Sequence, residues 1–334
     1  MVTRMAWLPS LGTYQVSETN APFDPTLGSI TFHPMPASDV VAATDNETEH
    51  THQAGQPDRR PELVTETIPD LKQHASNTGP LTSLLNCAAL CNIAHVFEER
   101  ASNDDEKHSQ GQLTGNWSAT GDPTEIAIQV FSHRFSWGKP SLVSEADGWK
   151  EVYEYPFDST VKRMAVVYQE PSAKQRHVFM KGAVEMVLDA CSNIFVPGES
   201  GLEVEVLDEE RKDWIIKNME AIASKGLRCL ALATKLWDET DVRDEDYEGS
   251  GDNPNEEETD ENQPPRKAVE RGLMFLGLVG IYDPPRPESA PSVAQFAKAS
   301  IRTHMLTGDH PGTAAAIVSA KYAWFSCFML TMQS

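Results

Sequence analysis

The pair Lys181-Gly182, within Met180-Lys181-Gly182-Ala183, stands where a strand runs into a helix. A glycine there lets a flat or anionic ligand come close to the backbone, and the ammonium supplies charge. Taken alone, the plainer account is a strand-ending lysine and a turn glycine. A second pattern, Pro156-Phe157-Asp158-Ser159-Thr160-Val161-Lys162-Arg163-Met164, gathers an aromatic, two cations and a thioether around one turn. The ring can stack on a base and the cations can meet phosphates. An ordinary hairpin with a core phenylalanine has the same look. A third, Met305-Leu306-Thr307-Gly308-Asp309-His310-Pro311-Gly312, follows a strand and starts a helix. Free N–H groups at such a helix start favour a phosphate, and the carboxyl edge of a parallel sheet is where open α/β folds bind ligands. Thr307 offers a hydroxyl, and Asp309 a hydrogen-bond acceptor or a group to position a metal. The alternative is a tight turn capped by Asp309. Cys87 and Cys91 share a helix face, but no partner stands at metal-ligand spacing, so they read as buried, reduced thiols.

These residues need elements to hold them. Leu81, Leu84, Leu85 and Ala88 recur with helical spacing in a run that continues to Phe97. Asp122-Pro123-Thr124-Glu125 predicts a helix start, with Asp122 as N-cap, Pro123 at the first position and Glu125 completing a capping box. Glu151–Phe157, Lys162–Tyr168 and Arg176–Met180 read as strands, Ala183–Cys191 and Asp208–Ser224 as helices, and Leu227–Leu236 as a buried strand. The sum is a mostly antiparallel sheet with flanking helices, an α+β unit. Leu273–Ile281 is apolar on both faces, the pattern of a strand in a parallel sheet. With a helix over Ala290–Ala299, a strand over Ile301–Leu306 and a helix from Pro311, it predicts the beginning of a doubly wound domain, too short to complete its own sheet.

Composition narrows the functions. The 334 residues carry 28 Lys+Arg against 50 Asp+Glu, a net charge of −22. That sign argues against nucleic acid and against a polybasic membrane anchor. The longest apolar run, Leu273–Tyr282, falls well short of the roughly 20 residues that cross a bilayer. No secretory h-region is visible at Met1–Pro9, so the sequons at Asn46 and Asn116 read as chance. From Asp238 to Asn262 stand 13 acidic residues against one arginine, with almost nothing apolar. Such a stretch cannot bury enough surface to order itself, and it lacks EF-hand spacing, so no metal site is expected. Residues 37–80 and 98–119 read as two further polar insertions.

Six motifs in order resemble the cytoplasmic region of P-type cation-transporting ATPases. They are Gly121-Asp122-Pro123-Thr124-Glu125, Phe157 with Lys162-Arg163-Met164, Lys181-Gly182-Ala183-Val184-Glu185, Gly226-Leu227-Arg228-Cys229-Leu230-Ala231, Asp283-Pro284-Pro285-Arg286 and Thr307-Gly308-Asp309. The wording looks most like the fungal sodium/potassium-exporting branch, with a calcium pump of the same superfamily as the rival. The resemblance implies a nucleotide-binding N-domain over residues 1–282 with disordered insertions near 37–80, 98–119 and 238–266. It implies a hinge and partial HAD-like (Rossmannoid) phosphorylation domain over 283–320. ATP is the implied ligand, as Mg-ATP in the family. Glu125 and Phe157 would hold the adenine, Phe157 by stacking. Lys162 and Lys181 would line the pocket, with Gly182 giving clearance. Arg228 would reach the phosphates and Arg286 would sit on the hinge. Thr307, Gly308 and Asp309 would face the phosphoryl-transfer site in a supporting role. Ser159 stands where the family has an arginine, which puts one phosphate contact in doubt.

The family's Asp-Lys-Thr-Gly-Thr and Gly-Asp-Gly-x-Asn-Asp motifs do not occur in the sequence. Met1-Val2-Thr3-Arg4 resembles the segment just after the first of these. The resemblance therefore implies a monomeric, catalytically inactive ATP-binding piece of a membrane transporter, at the cytoplasmic face in the parent and cytoplasmic alone. Its partner would be the rest of the transporter. A soluble ATP-binding or interaction module with its own role is the alternative. Residues 321–334, with the apolar and aromatic run Tyr322–Leu330, are expected not to be native family sequence but a retained intron read to its first stop.

Overall fold

The computed structural model describes residues 1–35, 66–100, 113–144, 148–198, 201–238, 240, 242, 263–307, 311–321 and 330–332. The chain opens with β1 (Val2–Leu8), β2 (Gly12–Val16), β3 (Ile30–Pro34) and β4 (Glu66–Thr67). Helices α1 (Leu71–Ser76) and α2 (Gly79–Leu90) follow, then the hairpin β5 (His95–Arg100) and β6 (Leu113–Thr120). Next come α3 (Pro123–Arg134), α4 (Lys139–Leu142), β7 (Lys150–Asp158), β8 (Arg163–Gln169), β9 (Arg176–Gly182) and α5 (Val184–Ala190). Then β10 (Cys191–Gly198), β11 (Gly201–Val206), α6 (Glu209–Ala223), β12 (Leu227–Trp237), α7 (Arg266–Val269) and β13 (Leu273–Tyr282). Helix α8 (Ser289–Lys298), β14 (Met305–Thr307), α9 (Pro311–Lys321) and β15 (Leu330–Met332) end it.

One sheet dominates, in the order β4-β3-β2-β1-β13-β12-β9-β8-β7, with the β10–β11 hairpin joined to β13. Along that order every pairing is antiparallel; β10 alone meets β13 in parallel. Helices cover both faces. Ala165, Val167, Val178, Met180, Ala231 and Leu278 pack with α5 and α6 on one side. Met164, Val166, Phe179, Leu232, Val279 and Ile281 pack with α2 and α3 on the other. Alternate residues of the central strands therefore feed two cores, which is why those strands read as unbroken apolar runs.

That double coverage corrects the reading of Leu273–Ile281. The strand is apolar on both faces because helices cap both sides of an antiparallel sheet, and β13 lies between β1 and β12 within it. The first four strands and the β5–β6 and β10–β11 hairpins were not anticipated. The helix read on to Phe97 stops at Leu90, where the buried Asn92 side chain donates to Ala88 O at 3.2 Å and the chain turns into β5. Of the proposed insertions, residues 36–65, 101–112 and most of 239–262 lie outside the described residues. Their margins are ordered elements. The helix Leu71–Ser76 is capped by Asp70, and β5 pairs with β6. The proposed strand over Ile301–Leu306 is confined to Met305–Thr307. It pairs in parallel with Leu330–Met332, so part of the tail is built into a β-α-β unit.

Candidate functional site

Lys181 is the penultimate residue of β9, paired with Met164 on β8 and Leu232 on β12. Its side chain enters the face covered by α2 and α3 and is only 4% exposed. A buried ammonium needs acceptors, and two are supplied: Cys91 O at the end of α2, and Glu125 Oε2 at 2.6 Å. Glu125 sits in the first turn of α3. The sequence had it closing a capping box; instead its Oε2 accepts from Ile93 N at 3.1 Å as well as from Lys181. Asp122 caps the helix, accepting from Thr124 N at 2.8 Å.

Asn92 organises this junction. Its amide donates to Ala88 O and Glu125 O, its Oδ1 accepts from Ala94 N, and its own carbonyl accepts from Lys139 Nζ at 2.8 Å. Lys139 also lies 3.9 Å from Glu151, which takes the Tyr168 hydroxyl. Beside it, burial and the neighbouring Glu151 push the Glu154 carboxyl above its ordinary range, while Lys139 and Lys181 pull it down. Lys139 and Glu151 carry no mark in the sequence, because their partners Asn92 and Tyr168 are distant in the chain. Cys87 and Cys91 donate to the backbone oxygens of Met180 and Met164. Burial holds both thiols up, Cys91 to about 12, so they stay protonated and unreactive.

At the same end of these strands, one residue beyond Lys181, lies the β7–β8 turn, where Arg163 pairs with Gly182. The ladder slips between Tyr155 and Asp158, a bulge that holds Pro156 and Phe157. Phe157 is 62% exposed, unusual for so large an apolar ring. Asp158 then accepts from Thr160 N and Val161 N, which holds its carboxyl below the usual range. Lys162 closes the turn at φ 51°, its N–H donating to Asp158 O at 2.7 Å. Lys162 O in turn accepts from Ala183 N at 2.9 Å. This approach is why residue 182 is glycine: a Cβ there would stand 2.5 Å from Lys162 O.

So the structure brings Glu125, Lys181, Gly182 and Lys162 into one continuous set of contacts, with Phe157 exposed on the adjoining bulge. Arg228 is exposed on β12 and, with Leu230 and Leu232, shares the Lys181 face, four residues further along. Arg286 is exposed in the segment after β13, and Thr307 ends β14. Gly308 and Asp309 lie outside the described residues. Among the described residues, no three His, Cys, Asp or Glu side chains converge as a metal site, and no helix is long and apolar enough to cross a membrane.

The chain is similar to known cation-transporting ATPases. A sodium/potassium exporting P-type ATPase of Schizosaccharomyces pombe is 38% identical over 95% of this chain and 24% of its own length. One of Saccharomyces cerevisiae is 31% identical over 95% of the chain and 28% of its own length. A calcium-transporting ATPase of Bacillus cereus is 35% identical over 60% of the chain and 19% of its own length. The chain thus spans about a quarter of the length of the fungal relatives. The family described as P-type ATPase, cytoplasmic domain N, matches residues 80–288, from α2 through β13 to the start of α8. By that match, and by its likeness to the fungal exporters, the chain belongs to the P-type ATPases, as their cytoplasmic domain N.

Proposed function

We propose that this chain binds ATP through the Phe157–Lys162 turn and the Lys181–Glu125 pair, as the nucleotide domain of a cation-exporting ATPase. The observation that carries the reading is Phe157: a ring 62% exposed, on a bulge that leads into the Lys162 turn. Folding gains nothing from presenting such a ring to water, whereas a base stacked on it recovers that surface. Lys162, exposed at the end of the same turn, suits a phosphate. Arg228, on the Lys181 face, suits one further out. Lys181 acts differently. Its ammonium is committed to Cys91 O and Glu125, so it fixes the floor and orients the Glu125 carboxylate toward the base.

On this proposal residues 283–320 are the hinge and the first part of a phosphorylation domain. The parallel β14–β15 pair with α9 between them, which reaches past residue 320 to Met332, supports a Rossmannoid unit at this end of the chain. Sodium or potassium export belongs to the longer protein, and the fungal relatives' names support it. An NMR titration of the full chain with ATP tests the binding. Dissociation on the order of millimolar, about −4 kcal/mol, is expected, with shifts centred on Phe157 and Lys162. No shift at either residue at several millimolar ATP would refute the assignment.

A further inference from the structure

The segment from Gln263 to Glu270 brings the chain to β13, and its contacts converge on the strand ends that carry Phe157 and Lys162. Gln263 Nε2 donates to Glu154 O at 2.9 Å, and the Tyr155 hydroxyl donates to Pro264 O at 2.7 Å. The Arg266 guanidinium lies 6.0 Å from the centre of the Tyr155 ring. One of its terminal nitrogens donates to Pro156 O and the other to Arg163 O at 3.2 Å. Glu270, its side chain wholly buried, sits 2.6 Å from Arg163 Nε and 3.6 Å from Arg266 Nη1.

The two carbonyls that Arg266 takes are not arbitrary. Pro156 O belongs to the bulge, where the slipped ladder leaves the backbone without its regular cross-strand partner. Pro156 immediately precedes Phe157, and Arg163 immediately follows Lys162. One planar, rigid guanidinium therefore bridges the two ends of the turn that presents both side chains. We propose that Arg266 is a positioning residue for the nucleotide: it clamps the base of the turn so that the Phe157 ring and the Lys162 ammonium stand at a fixed separation. This rests on the reading of Phe157 and Lys162 as nucleotide contacts. A lysine at 266 can reach one carbonyl at a time and cannot hold the separation.

Two measurements on the full chain test it. The first uses no nucleotide: amide hydrogen exchange in wild type and Arg266→Gln. Faster exchange at Val161, Lys162 and Ala183 is expected, with β12 and β13 unchanged. The second compares ATP with adenosine by NMR titration. Loss of the clamp should weaken ATP about tenfold, the worth of a charge-assisted hydrogen bond, and adenosine by less, because adenosine uses the ring alone. Arg266→Lys should recover part of the ATP affinity. Should Arg266→Gln not fold, Arg266→Lys carries the same comparisons. Unchanged exchange at the turn with unchanged ATP affinity overturns the clamp. So does a general loss of stability in which the folded fraction binds ATP and adenosine as wild type does. Should wild type itself show no ATP shifts, the nucleotide reading falls and takes the positioning role with it. The exchange measurement then shows separately whether Arg266 orders the turn.

Discussion

Lys162 and Lys181 carry the same charge and stand one strand apart, yet their substitution should have opposite effects on stability. Lys162 sits at φ 51°, a left-handed conformation that costs a side-chain-bearing residue about 1 kcal/mol. Lys162→Gly removes that strain and the ammonium together. Urea unfolding should show stability unchanged or slightly raised, while ATP affinity falls. A large loss of stability would show that the lysine stem packs more than its exposure suggests. Lys181→Met, in contrast, leaves Glu125, only 13% exposed, without its cation. Breaking such a pair costs about 3 kcal/mol. Lys181 substitutions therefore confound binding with folding, and Phe157→Ala is the cleaner probe. It removes an exposed ring, so stability should hold while ATP weakens by roughly 1–3 kcal/mol, as for other base–aromatic stacks. Wild-type affinity in Phe157→Ala would remove the central contact of the site.

Helix α3 illustrates how far an element can be read from sequence and where reading fails. Asp122 and Pro123 announce its start, and the structure begins it there. Glu125 was legible as a residue of the Gly121–Glu125 motif. Its partners Ile93 and Lys181 were not, since they arrive from another helix end and another strand. The same holds for Lys139, Arg266 and Glu270, whose roles arise only when distant segments meet. The direction of β13 was misread because burial on both faces erases the alternation that separates antiparallel from parallel strands. The helix also ends in a titrating group. His133 lies in its last turn, where the helix dipole favours the charged form, but burial beside Trp117 wins and lowers the imidazole pKa. A lowered folded pKa means the unfolded chain takes up the proton first. His133 thus contributes full stability above its unfolded value and loses it as pH falls through the folded one. His177, lowered by burial against the pull of Glu170, acts in the same direction. Urea midpoints should fall between about pH 7.5 and 5, and His133→Gln should flatten part of that slope. An equal slope in the variant would assign the effect elsewhere.

At the scale of the molecule, the large sheet and the C-terminal unit differ in how well each is buried. The sheet has a core on both faces. In α8, by contrast, no residue is buried, and Phe296, Ile301 and Leu306 are 45%, 51% and 72% exposed. The β14–β15 pair has two strands, too few for independent stability. Contact with the sheet domain runs through α9: it packs on α6 with Ala314 buried, and Thr313 Oγ1 donates to Leu227 O at 3.0 Å. Removing residues 321–334 alone would strip β14 of its partner strand and leave the apolar surface of α8 in place. Ending the chain after residue 287 is the sharper test. It keeps β1 through β13, both cores, Phe157, Lys162, Lys181, Arg228 and Arg286. The expected cost is about 1–3 kcal/mol, the Thr313 hydrogen bond and the apolar contact of α9 with α6. Light scattering should lose its concentration dependence, because exposed apolar patches drive self-association. ATP affinity should stay within about twofold, since the proposed base contacts all lie in the sheet domain. An unfolded 1–287 chain would mean that the C-terminal unit is integral to the fold, and undiminished scattering would place the sticky surface on the sheet domain itself, with the exposed Leu202, Val204 and Val206 of β11 as the next surface to change.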